Sequence, residues 1–417
     1  MSMRSAEIVI SISRNKQMTR IDTRNLAFEN SKKYVIRIIV KMGAVLCKLC
    51  GTVCMTACCD PCGGGCMSKN VPWLPHHLTA KIITQWLQDK GGLELDNAAA
   101  TVALQPFAIG EGLMSIMYRV TVTYIYPPKN GLNTTFVCKL SPPAAKPRFI
   151  GALLSLFKSE VNFYNKNLRE STGMDSPLCY YAGVASNGRY CILLEDLSPA
   201  KAGKQIEGVS IENARDATRC LATFHAKYHG KVRSDATFDE WLLLADDTEY
   251  WKLVKGSYDG ACPTLQSRID TIFKTTFEGD DPKGFSRVAL TFKDNYDKYI
   301  ALMVLNATSS KSTSKTTLTH GDFRAENMFF NAPTTMGESK DNDKGGMRLV
   351  DFQLMKESSG PAELCYFIGT SMTIEDRRKY ECELLQLYYD EMKANGADIS
   401  MQDVLLEYQA GKLYTKK

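Results

Sequence analysis

Apolar residues are distributed along the chain in three zones. Residues 1–41 are polar and basic with no sustained period, residues 42–70 are rich in Cys and Gly, and from about Leu78 apolar and polar positions alternate regularly to the C-terminus. Gly63-Gly64-Gly65 with Pro72 and Pro75 reads as a linker into that regular body. Leu78–Gln88 predicts a helix. Ser115–Tyr126 and Thr134–Leu140, rich in β-branched and aromatic residues and joined by Pro-Pro-Lys-Asn-Gly, predict two strands. Ile150, Leu153, Leu154, Phe157, Val161, Tyr164 and Leu168 recur at helical spacing and predict one long helix over Phe149–Leu168. Cys179–Val184 and Tyr190–Leu194 add two short strands, which makes this part a small strand-rich α+β lobe.

The second half is mostly helical. Ser210–His229 carries Ile211, Ala214, Leu221, Phe224 and Tyr228 on one stripe, and Gly230 sits where a C-terminal glycine cap belongs. Thr373-Ile-Glu-Asp376 resembles a capping box, opening a helix that Gly396 closes. Asn327–Phe330 and Met347–Val350 read as paired strands of a hairpin with a long polar tip over 331–346. The predicted organisation is a basic leader (1–41), a Cys/Gly-rich segment with linker (42–75), a small lobe (76–197) and a large helical lobe (198–417).

Composition narrows the class. With 44% hydrophobic and 23% charged residues, the chain is too apolar for disorder and too charged for a membrane bundle. A net charge of +5 points to no nucleic-acid partner, but residues 1–41 hold nine Lys/Arg against three Asp/Glu, which leaves the rest near neutral. Seven of the fourteen cysteines are scattered singly through the body. Such cysteines read as small buried hydrophobes in a reducing compartment, so a cytoplasmic location is expected. No start-proximal apolar run reads as a secretory signal. The best membrane-span candidate, Tyr34–Cys59, is interrupted by Arg37, Lys41 and Lys48.

The sharpest chemistry lies in Thr319-His320-Gly321-Asp322-Phe323-Arg324-Ala325-Glu326-Asn327, followed 24 residues after Asn327 by Asp351-Phe352-Gln353. Phosphoryl transfer from a nucleotide needs one carboxylate beside the attacking hydroxyl, which suits Asp322. It also needs an amide oxygen and a second carboxylate to hold Mg²⁺ against the phosphates, which suits Asn327 and Asp351. A short loop followed by a hairpin brings these residues to one mouth.

These motifs resemble the catalytic and metal loops of the protein-kinase-like phosphotransferases that act on small molecules, such as aminoglycoside phosphotransferases and choline kinases. The nearest resemblance is to the ecdysteroid-kinase-like (CHK kinase-like) branch, because Gln353 follows Asp-Phe where protein kinases carry glycine. It covers roughly residues 78–417. It implies a two-lobe protein-kinase-like fold of the α+β class, with a β-rich small lobe, a mostly helical large lobe and the active cleft between them. It further implies transfer of the γ-phosphoryl group of ATP, with Mg²⁺, to a hydroxyl of a small organic acceptor.

By that resemblance, Asp322 serves the acceptor hydroxyl, His320 belongs to the catalytic loop as its brace, and Asn327 and Asp351 are the metal ligands. Lys139, ending the third strand, anchors the nucleotide phosphates with Glu160, which lies on the buried stripe of its helix between Phe157 and Tyr164. A carboxylate on an apolar face needs a partner, and Lys139 is the natural one. Gly110, Gly112 and Ser115 form the phosphate-covering loop or a plain hairpin turn. Backbone groups near Glu195 and Leu197 form the adenine hinge. Glu363 stands where the family often has an aspartate that orients the catalytic loop, a longer side chain by one methylene. His225, on the helix Ser210–His229, reads as a buried packing or loop-bracing residue outside the site. Trp241, Tyr250, Trp251 and Tyr258 read first as ordinary core and second as an apolar acceptor pocket. The different-class alternative is a kinase-like scaffold or binding protein, weak or inactive in catalysis and tethered through its Cys-rich segment.

That segment spaces its cysteines at Cys47, Cys50, Cys54, Cys58, Cys59, Cys62 and Cys66. Cys47/Cys50 with Cys59/Cys62 would supply the four thiolates of a structural zinc site, although the gap between the pairs is short for a zinc ribbon. Met42-Gly43 with Cys47 has instead the shape of an acylation start, and clustered cysteines beside Lys41 and Lys48 suit palmitoylation, so membrane association through 42–66 is the second reading. A thiol-rich tail with no fixed role is the third.

Overall fold

The alternation seen along Ile116–Tyr124 becomes the second strand of a five-stranded antiparallel sheet in the computed structural model, with Val120 and Val122 buried and Thr121 and Thr123 exposed. The structure describes residues 71–107, 115–185, 187–248, 250–252, 315–332 and 346–415, together with 255, 256, 297, 298, 300 and 301. The basic leader, the cysteine cluster, Tyr258, and Gly110 and Gly112 lie outside the described residues. Among those described, no helix is long and apolar enough to cross a membrane.

The strands are β1 (Ala99–Phe107), β2 (Ile116–Tyr124), β3 (Thr135–Leu140), β4 (Cys179–Val184) and β5 (Tyr190–Glu195), ordered β1-β2-β3-β5-β4. The pattern reading did not predict β1. Its Pro106 cannot donate to a ladder, and the strand tolerates it because it lies at the sheet edge. Helix α1 (Ala80–Asp89), capped by Thr79, sets Ile83, Trp86 and Leu87 against the face lined by Phe136, Cys138, Leu140, Cys191 and Leu193. The opposite face of β3 carries Lys139.

The predicted long helix over Phe149–Leu168 is three helices: α2 (Ala145–Leu153), α3 (Leu156–Asn165) and α4 (Leu168–Thr172). Ser155 and Asn167 break it by entering the left-handed region at φ 58° and 52°. The first break lets α2 fold back so that Gly151 lies against the Phe157 ring, closer than a Cβ would permit. Periodicity counts faces and does not see a single-residue reversal that leaves the apolar stripe in phase.

In the large lobe, α5 (Ile211–Tyr228) is capped by Ser210 and packs on α7 (Ile374–Ala394), which Thr373 caps through the Asp376 N–H. Helix α6 (Gly360–Ser371) packs on α8 (Met401–Thr415), and Gly411 of α8 allows close approach to Ala362 and Cys365. Two small antiparallel pairs complete the lobe: β6 (Thr317–Thr319) with β9 (Lys356–Ser358), and β7 (Met328–Ala332) with β8 (Gly346–Leu349). The hairpin tip 333–345 lies outside the described residues. Trp241 and Trp251 are buried, with their indole N–H groups donating to Thr237 O and Ala245 O, so both belong to the core.

Glu407 fastens α8 to the start of α6 by accepting from the Ser359 hydroxyl, which also caps that helix. Burial pushes its carboxyl up to about 7, with Asp403 adding and the Ser359 hydrogen bond opposing. The folded chain therefore keeps a proton that the unfolded chain releases near 4.5, so stability falls as pH rises between those values. Over that window the loss is on the order of 3 kcal/mol. Glu407→Gln is expected to match the parent's melting temperature at pH 5 and exceed it at pH 8. A difference that does not change with pH would remove this assignment.

Candidate active site

Strand β6 leads directly into the catalytic-loop sequence, and its hydroxyls tie it down: Thr317 donates to His225 O at 2.7 Å and Thr319 to Lys356 O at 2.9 Å. Gly321 follows at φ 86°, where a Cβ would strike the Leu354 carbonyl, so the turn requires glycine. Glu363 on α6 accepts from the His320 N–H at 3.1 Å and from the Gly321 N–H. Its carboxylate also meets His225 Nε2 at 2.9 Å, and His225 Nδ1 meets the Tyr388 hydroxyl at 2.8 Å. Burial alone would push the Glu363 carboxyl up, but the hydrogen bond from His225, with the Gly321 N–H adding to it, holds it below the usual value. The residue thus stays an acceptor for both loop amides, and the extra methylene is accommodated by the His225–Tyr388 support behind it.

His320 is fully buried. Its Nδ1 accepts from the Asp322 N–H at 3.2 Å, so Nε2 carries the proton and donates to Val350 O at 3.1 Å. Both ring nitrogens are thereby used on the backbone. His320 thus joins the Asp322 loop to the residues before Asp351, in the bracing position read from the sequence.

Asp322 is held from both sides. Tyr366 donates to Oδ1 at 2.8 Å, while Arg324 Nε at 3.1 Å and Asn327 Nδ2 at 3.0 Å donate to Oδ2. The same Asn327 amide nitrogen donates to the Asp322 carbonyl at 2.8 Å, and among the described residues nothing donates to the Asn327 side-chain oxygen. The Asn327 carbonyl accepts from the Val350 N–H at 3.0 Å, which brings the loop asparagine beside Asp351.

Asp351 lies in the left-handed region at φ 72°, and Phe352 after it sinks into the core, stacked on Phe163 of α3 at a centroid distance of 3.5 Å. Ser159 of the same helix donates to Phe352 O at 3.2 Å. Helix α3 and the Asp-Phe-Gln turn are therefore one packed unit, whose contacts hold Asp351 in a conformation that costs a non-glycine residue on the order of 1 kcal/mol. Gln353 Nε2 lies 3.3 Å from Asp351 Oδ2.

Lys139 reaches this unit from β3. Its Nζ lies 2.8 and 2.9 Å from the two Glu160 oxygens and 3.2 Å from Asp351 Oδ1. Burial would lower the lysine pKa, but the Asp351 and Glu160 charges reverse the direction and keep the ammonium protonated. Burial raises Glu160 to about 7, with Asp351 adding and Lys139 opposing.

Two further predicted regions divide. The Ser115 side chain, just before β2, lies near the Tyr190 hydroxyl. At the end of β5, the Glu195 N–H donates to Leu178 O at 2.8 Å and its carboxylate is bound by Arg348, so neither group is turned toward the cleft. Among the described residues nothing accepts from the Leu197 N–H, while the Leu197 carbonyl accepts from Ala200. Sequence reasoning passed over Arg324, Arg348, Tyr366 and Tyr388. Only Tyr366 had a signal, its place three residues after Glu363 on one helix face.

The order of a strand lysine, a helix glutamate, a braced Asp/Asn loop and a hairpin aspartate defines a protein of the kinase-like class. Residues 109–401, well over half of the chain, match the model of the ecdysteroid kinase-like family (EcKL), and the chain belongs to that family. It is 22% identical over 266 residues to "Uncharacterized oxidoreductase dhs-27" of Caenorhabditis elegans, covering 62% of this chain but only 29% of that relative's length. Similar solved structures include choline kinase from Cryptosporidium parvum Iowa II, with 10% identity, TM-score 0.44, and 75% of this chain and 79% of that one covered. Another is choline kinase LicA from Streptococcus pneumoniae, with 13% identity, TM-score 0.37, and 81% and 99% covered.

Proposed function

We propose that the protein is an ATP- and Mg²⁺-dependent phosphotransferase that moves the γ-phosphoryl group to a hydroxyl of a small organic acceptor. The observation that carries this reading is Lys139 Nζ bound at once to Glu160 and Asp351, beside a loop in which Asp322 and Asn327 touch. A lysine pinned between two carboxylates presents its charge at a fixed place for nucleotide phosphates. Asp351 and the uncommitted Asn327 side-chain oxygen are hard oxygen donors of the kind Mg²⁺ takes. Bound there, Mg²⁺ would neutralise charge on the phosphate oxygens.

Asp322 receives the acceptor proton as the new O–P bond forms and the bond from the γ-phosphorus to the bridging oxygen breaks, releasing ADP. Asp322 Oδ1 takes one donor, the Tyr366 hydroxyl at 2.8 Å, whereas Oδ2 takes two, so Oδ1 is the oxygen with room for an acceptor hydroxyl. Arg324 and Asn327 fix the plane of the carboxylate. Positioning and charge neutralisation supply most of the rate in such a site. Among the described residues the Leu197 N–H has no acceptor, which leaves it to a purine at the hinge.

The purified chain should consume ATP in a Mg²⁺-dependent manner with one member of a panel of hydroxylated small molecules. The binding of Mg·ATP alone is checked by thermal shift. A folded chain that binds no Mg·ATP would sink the phosphotransferase reading and favour the scaffold.

A further inference from the structure

Among the described residues, the largest fully buried side chain is a cation, Arg348 of β8. It stands three residues before Asp351 and turns away from the cleft into the junction of the two lobes. Its Nη1 and Nη2 bind the two Glu195 oxygens at 3.0 and 2.7 Å, in the bidentate geometry that matches a guanidinium to a carboxylate. Nη2 also donates to Ser176 O at 2.7 Å, and Nε lies 3.5 Å from Asp175 Oδ1. Asp175 is held in turn by Arg169 at 2.9 Å, and its carbonyl accepts from the Leu349 N–H at 2.8 Å. Glu195 Oε2 takes one more bond, from the Leu178 N–H at 3.0 Å.

The last residue of β5, where the hinge begins, and the strand that delivers Asp351 are thus joined through one guanidinium. Stability does not explain the choice of residue. A buried ion pair is about neutral against apolar residues of the same volume, and Leu349 and Met328 already bury this hairpin. What a bidentate pair adds is direction, since it fixes angle as well as distance.

We propose that Arg348 is a positioning residue that couples the nucleotide-binding hinge to the metal carboxylate Asp351, so that a nucleotide seated at the hinge presents its phosphates in register with the metal. The inference rests on the phosphotransferase reading and adds the device that joins its two halves. Without Arg348, base and metal would each still bind, but binding of one would no longer strengthen the other.

The test is calorimetric titration of the full chain with ADP, with and without Mg²⁺, for the parent, Arg348→Met, Arg348→Lys and Glu195→Gln. In the parent, Mg²⁺ should tighten ADP binding. In Arg348→Met that gain should shrink by roughly tenfold, within the usual range of coupling between sites, while Mg²⁺-free ADP affinity stays within about threefold. Arg348→Lys and Glu195→Gln should lose part of the gain, and they carry the test if the Met variant does not fold. Variants that keep the parental gain, or that lose affinity equally with and without Mg²⁺, overturn the coupling role and leave the phosphotransferase reading intact. A folded parent that binds ADP under neither condition overturns that reading, and the coupling with it.

Discussion

Asp322→Asn is expected to leave the fold and Mg·ADP affinity in place while lowering kcat by roughly 10²–10⁴-fold, the range for removing a positioned proton acceptor. The geometry makes this an informative substitution. Arg324 and Asn327 both donate to Oδ2, so an asparagine would keep its carbonyl oxygen there and turn its NH₂ toward Tyr366. The Tyr366 hydroxyl accepts as readily as it donates, so no buried donor is left facing another. The loss would then lie in the one property removed, the capacity of Oδ1 to take a proton from the acceptor. Steady-state kinetics with the acceptor found in the panel, alongside ADP titration, separates the two effects. Unchanged kcat would show that Asp322 is not the group beside the acceptor hydroxyl.

Lys139→Met should be the more damaging change for the folded state, and its damage should grow with pH. Glu160 is 1% exposed and would lose the ammonium that contacts both of its oxygens. Breaking one side of a buried pair costs roughly 3–5 kcal/mol, because the remaining charge is stranded. Glu160 can avoid that cost by holding a proton. Its folded value, already raised to about 7 from 4.5, would rise further without Lys139. The folded chain then binds a proton that the unfolded chain gives up, so stability declines as pH climbs through that interval. The parent's own Glu160 sheds its proton near 7, so parent and variant should decline in parallel up to that pH, and urea unfolding should find Lys139→Met losing a further ~1.4 kcal/mol per pH unit above it. Adding Glu160→Leu should restore stability at pH 8 without restoring nucleotide binding. A double variant no more stable than the single one at pH 8 would show that the pair does not govern the folded state here.

Much of the framework was legible in the chain. Strands β2, β3, β4 and β5 and helix α5 follow from alternation or helical spacing, the ends of α5 from Ser210 and Gly230 and the end of α7 from Gly396, because each signal lies within a few residues of the structure it dictates. The order of Asp322, Asn327 and Asp351 was legible for the same reason, a short loop and a hairpin being local. Glu160 could be marked because a carboxylate on an apolar stripe breaks the pattern, and the structure sets it against Lys139, 21 residues earlier.

The remainder depends on partners that no local window contains. Arg348 looks like a solvated strand residue until Glu195, 153 positions earlier, meets it inside the lobe junction. Glu363 looks like an aspartate made too long until His225, 138 positions earlier, and Tyr388 stand behind it. His320 could be assigned to the loop but not to a direction, and the Val350 carbonyl turned it inward. The breaks at Ser155 and Asn167 left the apolar stripe intact and therefore silent. Which face of an element is apolar is set by residues two to four positions away, so the chain by itself determined the elements and the order of its chemistry. Whether a charge is buried, and against what, is set by packing across the whole fold, so only the tertiary structure decided which polar residues meet at the site and which hold it in place.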